Sequence, residues 1–576
     1  MLELFYNKVR AGLRKIELRL ERDRHGYIEK LPEDFEYPEG SLYDVVYESA
    51  KKWPSRTALE YYSMEISYKE LLKKIDKVAE ALKAIGVNKG DTVTICMPNT
   101  PEAVYMFYAV SEIGAIANMV HHLSSEKEIE DYINQAQSKY MLVIDITYPK
   151  VEAIIKNTPL ERLIVVSPAR SMDFLVRAIF WLTKGRKNHI KKSQQVITWD
   201  RFLLGASHFV GNPHARMNAN DPAVILYSGG TTGKPKGVLL SNLNLNAQAV
   251  GAKYLVPELL RSKYSMLTFL PNFHAFGLGV CQHIPLYCGM RIVLIPQFNA
   301  KKLRSYIKKY KINILVGVPA VFEYFVKIKF GDNELKRIKG VVSGGDIVSQ
   351  STKEAFNDFL AAHGSKAVIH NGYGLTEAAG GVIFSPASIA REPNVIGYPL
   401  PDTEVLIIDP KTKKPVQTGA DGEIVIRGLA IMKEYINNPK ETKATFVTIG
   451  GKDYLKTGDL GYVDDKGAVF FRARLKRMII TNGYNVYPST VEEATKKSKY
   501  VASCACIGVP DKVRGERIKV FIVLQPDASA RTAKKDLARI YKKYLAKYEP
   551  PRELAFLDSL PKTKLNKIDY LALEKM

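Results

Sequence analysis

The stretch YSGGTTGKPKGVLL, residues 227–240, follows the apolar run AVILY and combines glycines, hydroxyl groups and lysines. We expect AVILY to end a β-strand, after which the glycines let several backbone N–H groups face one anion without a Cβ in the way. Serine and threonine hydroxyls donate further hydrogen bonds, and the lysines supply positive charge. The stretch therefore predicts a polyphosphate-binding loop formed by Ser228, Gly229, Gly230, Thr231, Thr232, Gly233, Lys234 and Lys236.

The order of residues in this loop differs from the P-loop pattern G-x-x-x-x-G-K-[ST]. The alternative interpretation is a flexible polar loop in which the glycines occur by chance. The order of strands and helices around the loop favours phosphate binding.

The rest of the chain alternates short β-branched runs with helical stretches, which predicts an α/β fold with parallel sheet in more than one layered subdomain. After about residue 395, short strands joined by Asp-Gly and Asp-Lys-Gly turns predict antiparallel hairpins in a small β-barrel-like region. The last hundred residues mix strands and helices again and predict a small, basic α+β domain.

Length and charge set broad limits on function. The 576 residues, 46% of them hydrophobic, suffice for roughly three or four structural units. Lysine and arginine (84) outnumber aspartate and glutamate (60), and the net charge of +24 favours anionic partners, from phosphorylated ligands and carboxylates to membranes and nucleic acid. No nucleic-acid recognition module is visible, so nucleic acid is not an expected partner. The five scattered cysteines predict free thiols in a reducing cytosol.

Residues 226–236 resemble the AMP-binding signature of the adenylate-forming enzymes, the superfamily of acyl-CoA synthetases, luciferases and peptide-synthetase adenylation domains. Further stretches resemble the later motifs of this superfamily and follow in its order: VSGGD (342–346), NGYGLTE (371–377), YLKTGDLG (454–461), RLKR (474–477) and LPKTKLNK (560–567). The resemblance covers about residue 40 to the end and is greatest to bacterial-type long-chain fatty acid–CoA ligases.

The resemblance implies four parts: a basic N-terminal extension (1–40), a large AMP-binding domain (41–474), a hinge (475–477) and a small mobile C-terminal domain (478–576). Lys476 matches the hinge position, about which the small domain swings between the two half-reactions. It further implies that a carboxylic acid reacts with ATP to give acyl-AMP and pyrophosphate, and that CoA then displaces AMP. Both half-reactions join anions, so catalysis needs cationic clamps and positioning more than a strong base.

By the same resemblance, Thr231, Thr232 and Lys236 follow the β- and γ-phosphates, and Thr376 holds the α-phosphate. Glu377 is the implied ligand of a Mg²⁺ ion that bridges phosphate oxygens. Five further residues are implied to bind ATP or AMP: Gly344, Gly345 and Asp346 in the adenine-side segment VSGGD, and Asn371 and Gly372 in the magnesium-side segment NGYGLTE.

Three further residues have implied roles around the nucleoside and the reacting groups. Tyr373 stacks on adenine, and Asp459 accepts hydrogen bonds from both ribose hydroxyls with the help of Arg474. The alternatives are an ordinary core tyrosine and a turn aspartate before a hairpin. Lys567 reaches the α-phosphate and the carboxylate during adenylation. Because lysines are abundant in this part of the chain, the alternative is a solvated surface charge.

Three positions depart from the pattern of the superfamily. Arg477 stands where an acidic residue is usual, Asn566 where glycine usually precedes the lysine, and Ala473 where Asp or Gly is common. None of these departures removes a charged catalytic group. We therefore expect activity, with domain alternation tuned differently.

The segment PNFHAFGLG, residues 271–279, resembles the segment beside the acyl pocket. It places His274 near the substrate carboxylate, with Gly277 and Gly279 leaving room behind; a hydrogen-bonded core histidine is the alternative. No acidic residue is present in this segment to hold a substrate amine, which favours an unsubstituted acyl chain.

The apolar run FLVRAIFWL, residues 174–182, precedes several lysines and arginines. As a helix, Phe174–Lys192 suits peripheral contact with anionic lipid, and packing against the protein itself is an equal alternative. We therefore expect a fatty acid–CoA ligase that works in the cytoplasm or at the inner membrane face. Aryl- or branched-acid ligases, carrier-protein-loading ligases and an inactive lipid- or nucleotide-binding protein remain alternatives, and a homodimer is one option for the oligomeric state.

Overall fold

The structure is a computed structural model that describes residues 36–173, 177, 190–191, 193–228, 235–346, 348–481, 484–511, 515–546, 548–563 and 568–576. Several predicted features lie outside these residues. They are the N-terminal extension up to residue 35, Gly229–Lys234 of the phosphate loop, most of Phe174–Lys192, and Asn566 and Lys567 of the C-terminal motif.

The helices begin at residues that cap them. Four serines, Ser41, Ser67, Ser125 and Ser241, each form a capping box. The serine hydroxyl accepts a hydrogen bond from the backbone N–H of the third helical residue, and the side-chain oxygen of that residue accepts one from the serine backbone N–H. The described α-helices are α1 (Leu42–Lys52), α2 (Tyr68–Ala84), α3 (Pro101–Glu112), α4 (Glu126–Gln135), α5 (Tyr148–Ile154), α6 (Trp199–Leu204), α7 (Asn242–Leu255), α8 (Ile284–Tyr287), α9 (Leu303–Tyr310), α10 (Pro319–Phe325), α11 (Gln350–Ala362), α12 (Pro439–Thr445), α13 (Pro488–Lys496), α14 (Ala530–Tyr544) and α15 (Tyr570–Glu574).

The described strands are short. They are β1 (Thr57–Tyr61), β2 (Met64–Ser67), β3 (Thr92–Cys96), β4 (Ile116–Met119), β5 (Tyr140–Ile144), β6 (Arg162–Val166), β7 (Val196–Thr198), β8 (Pro222–Ser228), β9 (Lys236–Ser241), β10 (Ser265–Thr268), β11 (Arg291–Leu294), β12 (Ile314–Gly317), β13 (Gly340–Gly344), β14 (Ile369–Tyr373), β15 (Ile383–Phe384), β16 (Val395–Pro399), β17 (Thr403–Ile408), β18 (Gly422–Gly428), β19 (Glu434–Tyr435), β20 (Phe446–Ile449), β21 (Lys452–Val463), β22 (Val469–Arg474), β23 (Ile479–Thr481), β24 (Tyr484–Val486), β25 (Val501–Asp511), β26 (Gly515–Leu524) and β27 (Glu553–Phe556).

These strands form three sheets. The largest runs in the order β17-β18-β21-β22-β16-β15-β14-β13-β12-β10-β11-β1-β2, with β20 beside β21. Its stretch from β1 through β11, β10, β12 and β13 to β14 is parallel. The second sheet, β19-β9-β8-β4-β3-β5-β6-β7, has a parallel centre. The α/β fold with parallel sheets predicted from the alternation of strands and helices is therefore confirmed.

The predicted hairpins after residue 395 are present, but the barrel-like closure is wrong. Strands β17, β18, β21 and β22 pair antiparallel, and β22 also pairs with β16. The hairpins therefore extend the large parallel sheet as an open antiparallel end. The alternation of turns predicts local pairing, whereas closure depends on the pairing of distant edge strands, which the local pattern does not contain.

The core is continuous between the first two sheets. A single cluster of buried apolar residues includes members of both sheets and of the helices between them, and α3 is buried along its whole length. The small C-terminal sheet, β24-β23-β26-β25 with β27 beside β26, has its own apolar clusters. All five cysteines are buried free thiols. In the part of the chain that the structure describes, no helix is long and apolar enough to cross a bilayer.

Candidate active site

The predicted nucleotide residues meet at the carboxyl ends of the parallel strands β13 and β14, where open α/β sheets commonly bind ligands. Gly344 lies opposite Gly372 in the register of these two strands. A Cβ on Gly344 would approach the Gly372 carbonyl oxygen to 2.9 Å and the Phe276 ring to 2.8 Å. Gly345 follows with a φ of +78°, a conformation that favours glycine, and Asp346 is exposed beyond it.

Asn371 supports this strand end from within the fold. Its side-chain amide donates a hydrogen bond to the Val395 carbonyl, and its backbone N–H donates one to the Ser385 hydroxyl over 2.6 Å. Thr376 opens the 3-10 turn Thr376–Ala378 directly after β14. Asn371 thus links β14 to Ser385 and Val395, which follow it in the chain. Thr376 and Glu377 lie just beyond the end of the strand.

Tyr373, Asp459 and Arg474 form one trio, joined by a hydrogen bond and an ion pair. The Tyr373 hydroxyl donates to Oδ2 of Asp459 over 2.7 Å, and Nε of Arg474 lies 3.0 Å from Oδ1. Asp459 and Arg474 are cross-strand partners in β21 and β22, which explains why residues fifteen positions apart meet. Sequence reasoning pairs Arg474 with Asp459 at the ribose and assigns Tyr373 to adenine, and the structure brings all three into one group.

Asp459 is buried, and its partners oppose the effect of burial on its pKa. Its side chain is only 1% exposed, whereas that of Arg474 is 51% exposed. Burial raises the pKa of Asp459, and the Arg474 guanidinium and the Tyr373 hydroxyl act in the opposite direction. A buried carboxylate with a cation and a phenol beside it is suited to accept hydrogen bonds from a diol.

A second group surrounds Glu377 and Lys236. The Tyr435 hydroxyl donates to Oε1 of Glu377 over 2.7 Å, and the Lys236 ammonium lies 5.0 Å from the centre of the Tyr435 ring. Lys236 also forms an ion pair with Glu441, and this hydrogen-bonded cation lowers the pKa of the Glu441 carboxyl. Tyr435 therefore connects the predicted magnesium ligand to the predicted phosphate lysine.

Sequence reasoning missed both Tyr435 and Glu441. Tyr435 reaches the site because β19 pairs with β9, where it lies opposite Val238. Glu441 lies in the first turn of α12, which Asn438 caps. The local stretch EYINNPKET contains a helix-start signal, but the pairing of β19 with β9 depends on tertiary structure.

The phosphate loop joins the antiparallel strands β8 and β9. Ser228 and Lys236 are directly opposite each other at its two ends. Lys236 therefore lies at the base of the loop, where β8 and β9 pair.

His274, Gly277 and Gly279 lie in and beside a π-helical segment, Phe276–His283. The His274 ring packs 4.8 Å from the Phe273 ring. The predicted room behind the two glycines is wrong, because a Cβ on Gly277 would lie 2.0 Å from the Pro271 carbonyl oxygen and one on Gly279 would lie 2.5 Å from the Gln248 side-chain oxygen. These glycines permit close packing of the segment.

Space is found instead on a neighbouring face of the same segment, where Phe276 and Val280 line a cavity of about 680 Å³, including its open mouth. Every lining residue that the structure describes is apolar or glycine: Ala252, Leu255, Val256, Leu259, Leu260, Met266, Phe276, Val280, Ile284, Ile314, Val316, Val342, Gly372, Gly380, Gly381, Ile383, Phe384 and Leu400. Gly372 precedes Tyr373, so the cavity reaches the nucleotide end of β14.

The residues predicted to form the hinge lie in a 3-10 turn, Leu475–Arg477, between β22 and β23. Ala473 is buried in β22 opposite Leu460, where a larger residue would meet the core. Lys476 lies close enough to Glu441 to contribute to the lowered pKa of that carboxyl. Arg477 faces the small domain, where it contacts Glu492 and Tyr570.

Known proteins resemble this chain over most of its length. The AMP-binding enzyme model matches residues 46–436, and the AMP-binding enzyme C-terminal domain model matches residues 490–567. The long-chain-fatty-acid–CoA ligase of Bacillus subtilis is 29% identical over 551 residues, which cover 94% of this chain and 95% of that protein. The 4-coumarate–CoA ligase 1 of Petroselinum crispum is 28% identical over 517 residues, covering 87% of this chain and 86% of that protein.

The fold agrees with these sequence relatives. ATP-bound MatB from Rhodopseudomonas palustris is similar with a TM-score of 0.80 at 23% identity, over 93% of this chain and 98% of that one. The AMP-binding enzyme model matches the larger, N-terminal part of the chain, and the C-terminal domain model matches the part that follows. The chain therefore belongs to the AMP-binding enzyme family, among the adenylate-forming acyl-CoA ligases.

Proposed function

We propose that this protein activates a fatty acid with ATP, giving acyl-AMP and pyrophosphate, and then transfers the acyl group to CoA with release of AMP. The observation that carries the proposal is the apolar cavity whose lining includes Gly372, the residue before Tyr373 of the trio with Asp459 and Arg474. An acyl chain in the cavity would place its carboxylate towards the nucleotide residues.

The lining of the cavity favours a hydrocarbon over a ring that bears hydroxyl groups. Burying a hydroxyl group without a hydrogen-bond partner costs on the order of 1–3 kcal/mol. The lining offers only apolar side chains and glycine, so a hydroxycinnamate would leave its phenol without a side-chain partner there. A long alkyl chain has no such group, and each buried methylene contributes about 0.8 kcal/mol.

The roles of the nucleotide residues follow from their chemistry. Asp459, with Arg474, would accept the ribose hydroxyls, while Tyr373 would flank the adenine. Lys236, Thr376 and the loop Ser228–Lys234 would bind the phosphates. Lys567 would neutralise charge at the α-phosphate and the carboxylate during adenylation, as the family motif implies.

Glu377 fits a magnesium ion that is also bound by ATP. One of its carboxylate oxygens accepts the Tyr435 hydroxyl, which leaves the second oxygen for a ligand role. Mg²⁺ in nucleotide sites commonly takes one or two carboxylates together with phosphate oxygens and water. Within the described residues there is no cluster of three or more His, Cys, Asp or Glu side chains suited to a metal, so one carboxylate plus ATP is the arrangement we propose.

The proposed acceptor is CoA, and the proposed location is the cytoplasm or its face of the membrane. The basic C-terminal domain suits the phosphates of CoA and an acidic carrier protein alike. Membrane contact through Phe174–Lys192 stays a prediction.

The proposal is tested by product analysis with purified protein, ATP, Mg²⁺, CoA and hexadecanoate. We expect AMP, pyrophosphate and hexadecanoyl-CoA in equal amounts, and we expect Lys567→Ala to slow acyl-AMP formation roughly 100- to 1,000-fold while leaving it measurable. ATP and acyl binding without any AMP release would identify a non-catalytic binding protein. Preference for a purified acyl carrier protein over CoA would show that the acceptor is a carrier protein and not CoA.

A further inference from the structure

Residues that the structure describes flank Lys567 on both sides in the sequence. Of these, Lys562 and Ile568 form an antiparallel bridge. The Asp569 N–H donates to the Pro561 carbonyl over 2.9 Å, and the Asp569 carboxylate caps α15 (Tyr570–Glu574). Asp569, two residues after Lys567, is therefore fixed at the start of α15.

Arg477 contacts the first residue of that helix. Its guanidinium carbon lies 3.3 Å from the centre of the Tyr570 ring, and its Nη2 lies 3.3 Å from Oε1 of Glu492 in α13. The Tyr570 hydroxyl donates to the same Glu492 oxygen over 3.3 Å. The three side chains thus close a ring of contacts, which we call the Arg477 clamp.

Glu492 anchors the clamp in the core of the small domain. Its carboxylate accepts the backbone N–H of Cys506 over 2.8 Å. Burial raises the pKa of Glu492, and the Arg477 guanidinium acts most strongly in the opposite direction. Removing the cation would leave a buried carboxylate with a weaker set of partners.

The clamp also faces the nucleotide segment of the large domain. Burial raises the pKa of Tyr570 and Glu492, and the Asp346 carboxylate adds to both effects. Asp346 therefore lies near the clamp, although it belongs to the turn after β13.

We propose that Arg477 is a positioning residue for Lys567, because its contacts with Tyr570 and Glu492 tie the start of α15 to the predicted hinge. Tyr570 follows Lys567 by only three residues, so the place of Tyr570 limits where Lys567 can act. The inference rests on the proposed function, because it gives Lys567 its part in adenylation. It also gives a role to a basic residue where the family usually has an acidic one.

The test is a double-mutant cycle between Arg477→Ala and Lys567→Ala, read as single-turnover formation of acyl-AMP from ATP and hexadecanoate. We expect Arg477→Ala to slow this step roughly 10-fold or more in the wild-type background and less than about 2-fold in the Lys567→Ala background. Thioester formation from supplied acyl-AMP should change by less than about 3-fold. An equal loss in both backgrounds, or an equal loss in both half-reactions, would overturn the inference.

Three further variants separate positioning from general stability. Tyr570→Phe keeps the ring under Arg477 and should retain most activity, whereas Tyr570→Ala should behave like Arg477→Ala. Arg517→Ala is the matched control, because Arg517 pairs with Glu553 in the same domain at 3.2 Å and is similarly exposed. A comparable loss in Arg517→Ala would overturn the inference. Wild-type protein without acyl-AMP formation would instead refute the proposed function, and the inference with it.

Discussion

At the residue scale, the proposed site depends on charges whose partners come from distant segments. Asp459 is almost completely buried, with Arg474 and Tyr373 beside its carboxylate. Lys236 lies between Tyr435 and Glu441. In both cases an ion pair fixes the side chain of a residue that we propose binds the nucleotide.

Asp459→Asn should weaken ATP binding strongly. The amide accepts ribose hydroxyls less well than a carboxylate and leaves Arg474 without its ion partner, so we expect kcat/KM for ATP in pyrophosphate exchange to fall roughly 10- to 100-fold. Asp453→Asn is the matched control, since Asp453 is an exposed carboxylate on the same strand. Equal kinetics of Asp459→Asn and wild type would contradict the ribose role.

Glu441→Gln should strengthen ATP binding. Glu441 pairs with Lys236, and its carboxylate repels the triphosphate that Lys236 is proposed to bind. Removing this charge frees the lysine, so we expect the KM for ATP to fall about 2- to 5-fold, an effect that should shrink with added salt. A raised KM would indicate that Glu441 helps to bind the nucleotide or its metal.

The residue roles show where sequence reasoning succeeds and where it stops. The order of the motifs predicts that Tyr373, Asp459 and Arg474 belong to one site, and the structure brings these three together. The involvement of Tyr435 and Glu441 follows only from the pairing of β19 with β9. Such pairing depends on tertiary contacts that a local pattern does not contain.

At the element scale, α7 and the π-helical segment form much of the wall of the cavity. Ala252 and Leu255 of α7 face Phe276 and Val280 across it. The sequence predicts a pocket in this region, but it assigns the space to Gly277 and Gly279. Which face of a glycine-rich segment is open depends on what packs against it, and here Pro271 and Gln248 occupy that face.

Ala252→Phe should shorten the preferred acyl chain. The added ring would occupy part of the cavity lined by α7, so we expect kcat/KM for hexadecanoate to fall roughly 10-fold or more while octanoate is nearly unaffected. Lys253→Ala is the control, because the Lys253 ammonium packs over the Tyr287 ring. An unchanged chain-length profile in Ala252→Phe would place the acyl chain elsewhere.

The end of α3 contains an acid that is held neutral. Burial raises the pKa of Glu112 to about 9, and the carboxylates of Asp76, Asp44 and Glu80 add to the effect. The folded pKa lies above the unfolded one, so the stability contribution is present at low pH and is lost as the pH rises towards about 9, by up to ~1.4 kcal/mol per pH unit.

Glu112→Gln should therefore stabilise the protein increasingly with pH. The midpoint of urea unfolding should match wild type near pH 5 and exceed it at pH 8–9. Glu354→Gln, an exposed carboxylate on α11, should show no such trend. A difference between Glu112→Gln and wild type that does not change with pH would show that Glu112 is ionised in the fold.

At the scale of the whole molecule, two parallel-centred sheets enclose one core, and a small domain follows the hinge turn Leu475–Arg477. The alternation of strands and helices predicts this α/β organisation, because helices and strands differ in the spacing of their hydrophobic residues. The open antiparallel end of the large sheet was not predictable from local turns. Its extension depends on β16, which joins the hairpins to the parallel strands.

The central claim is that the chain activates unsubstituted fatty acids. The most direct measurement is acid-dependent ATP–pyrophosphate exchange, giving kcat/KM for octanoate, hexadecanoate, octadecenoate, benzoate and 4-coumarate. The account predicts the highest values for the long straight chains, because the cavity beside the nucleotide residues is lined by apolar side chains and glycine alone. A maximum with 4-coumarate or benzoate, or no exchange with any aliphatic acid, would contradict it.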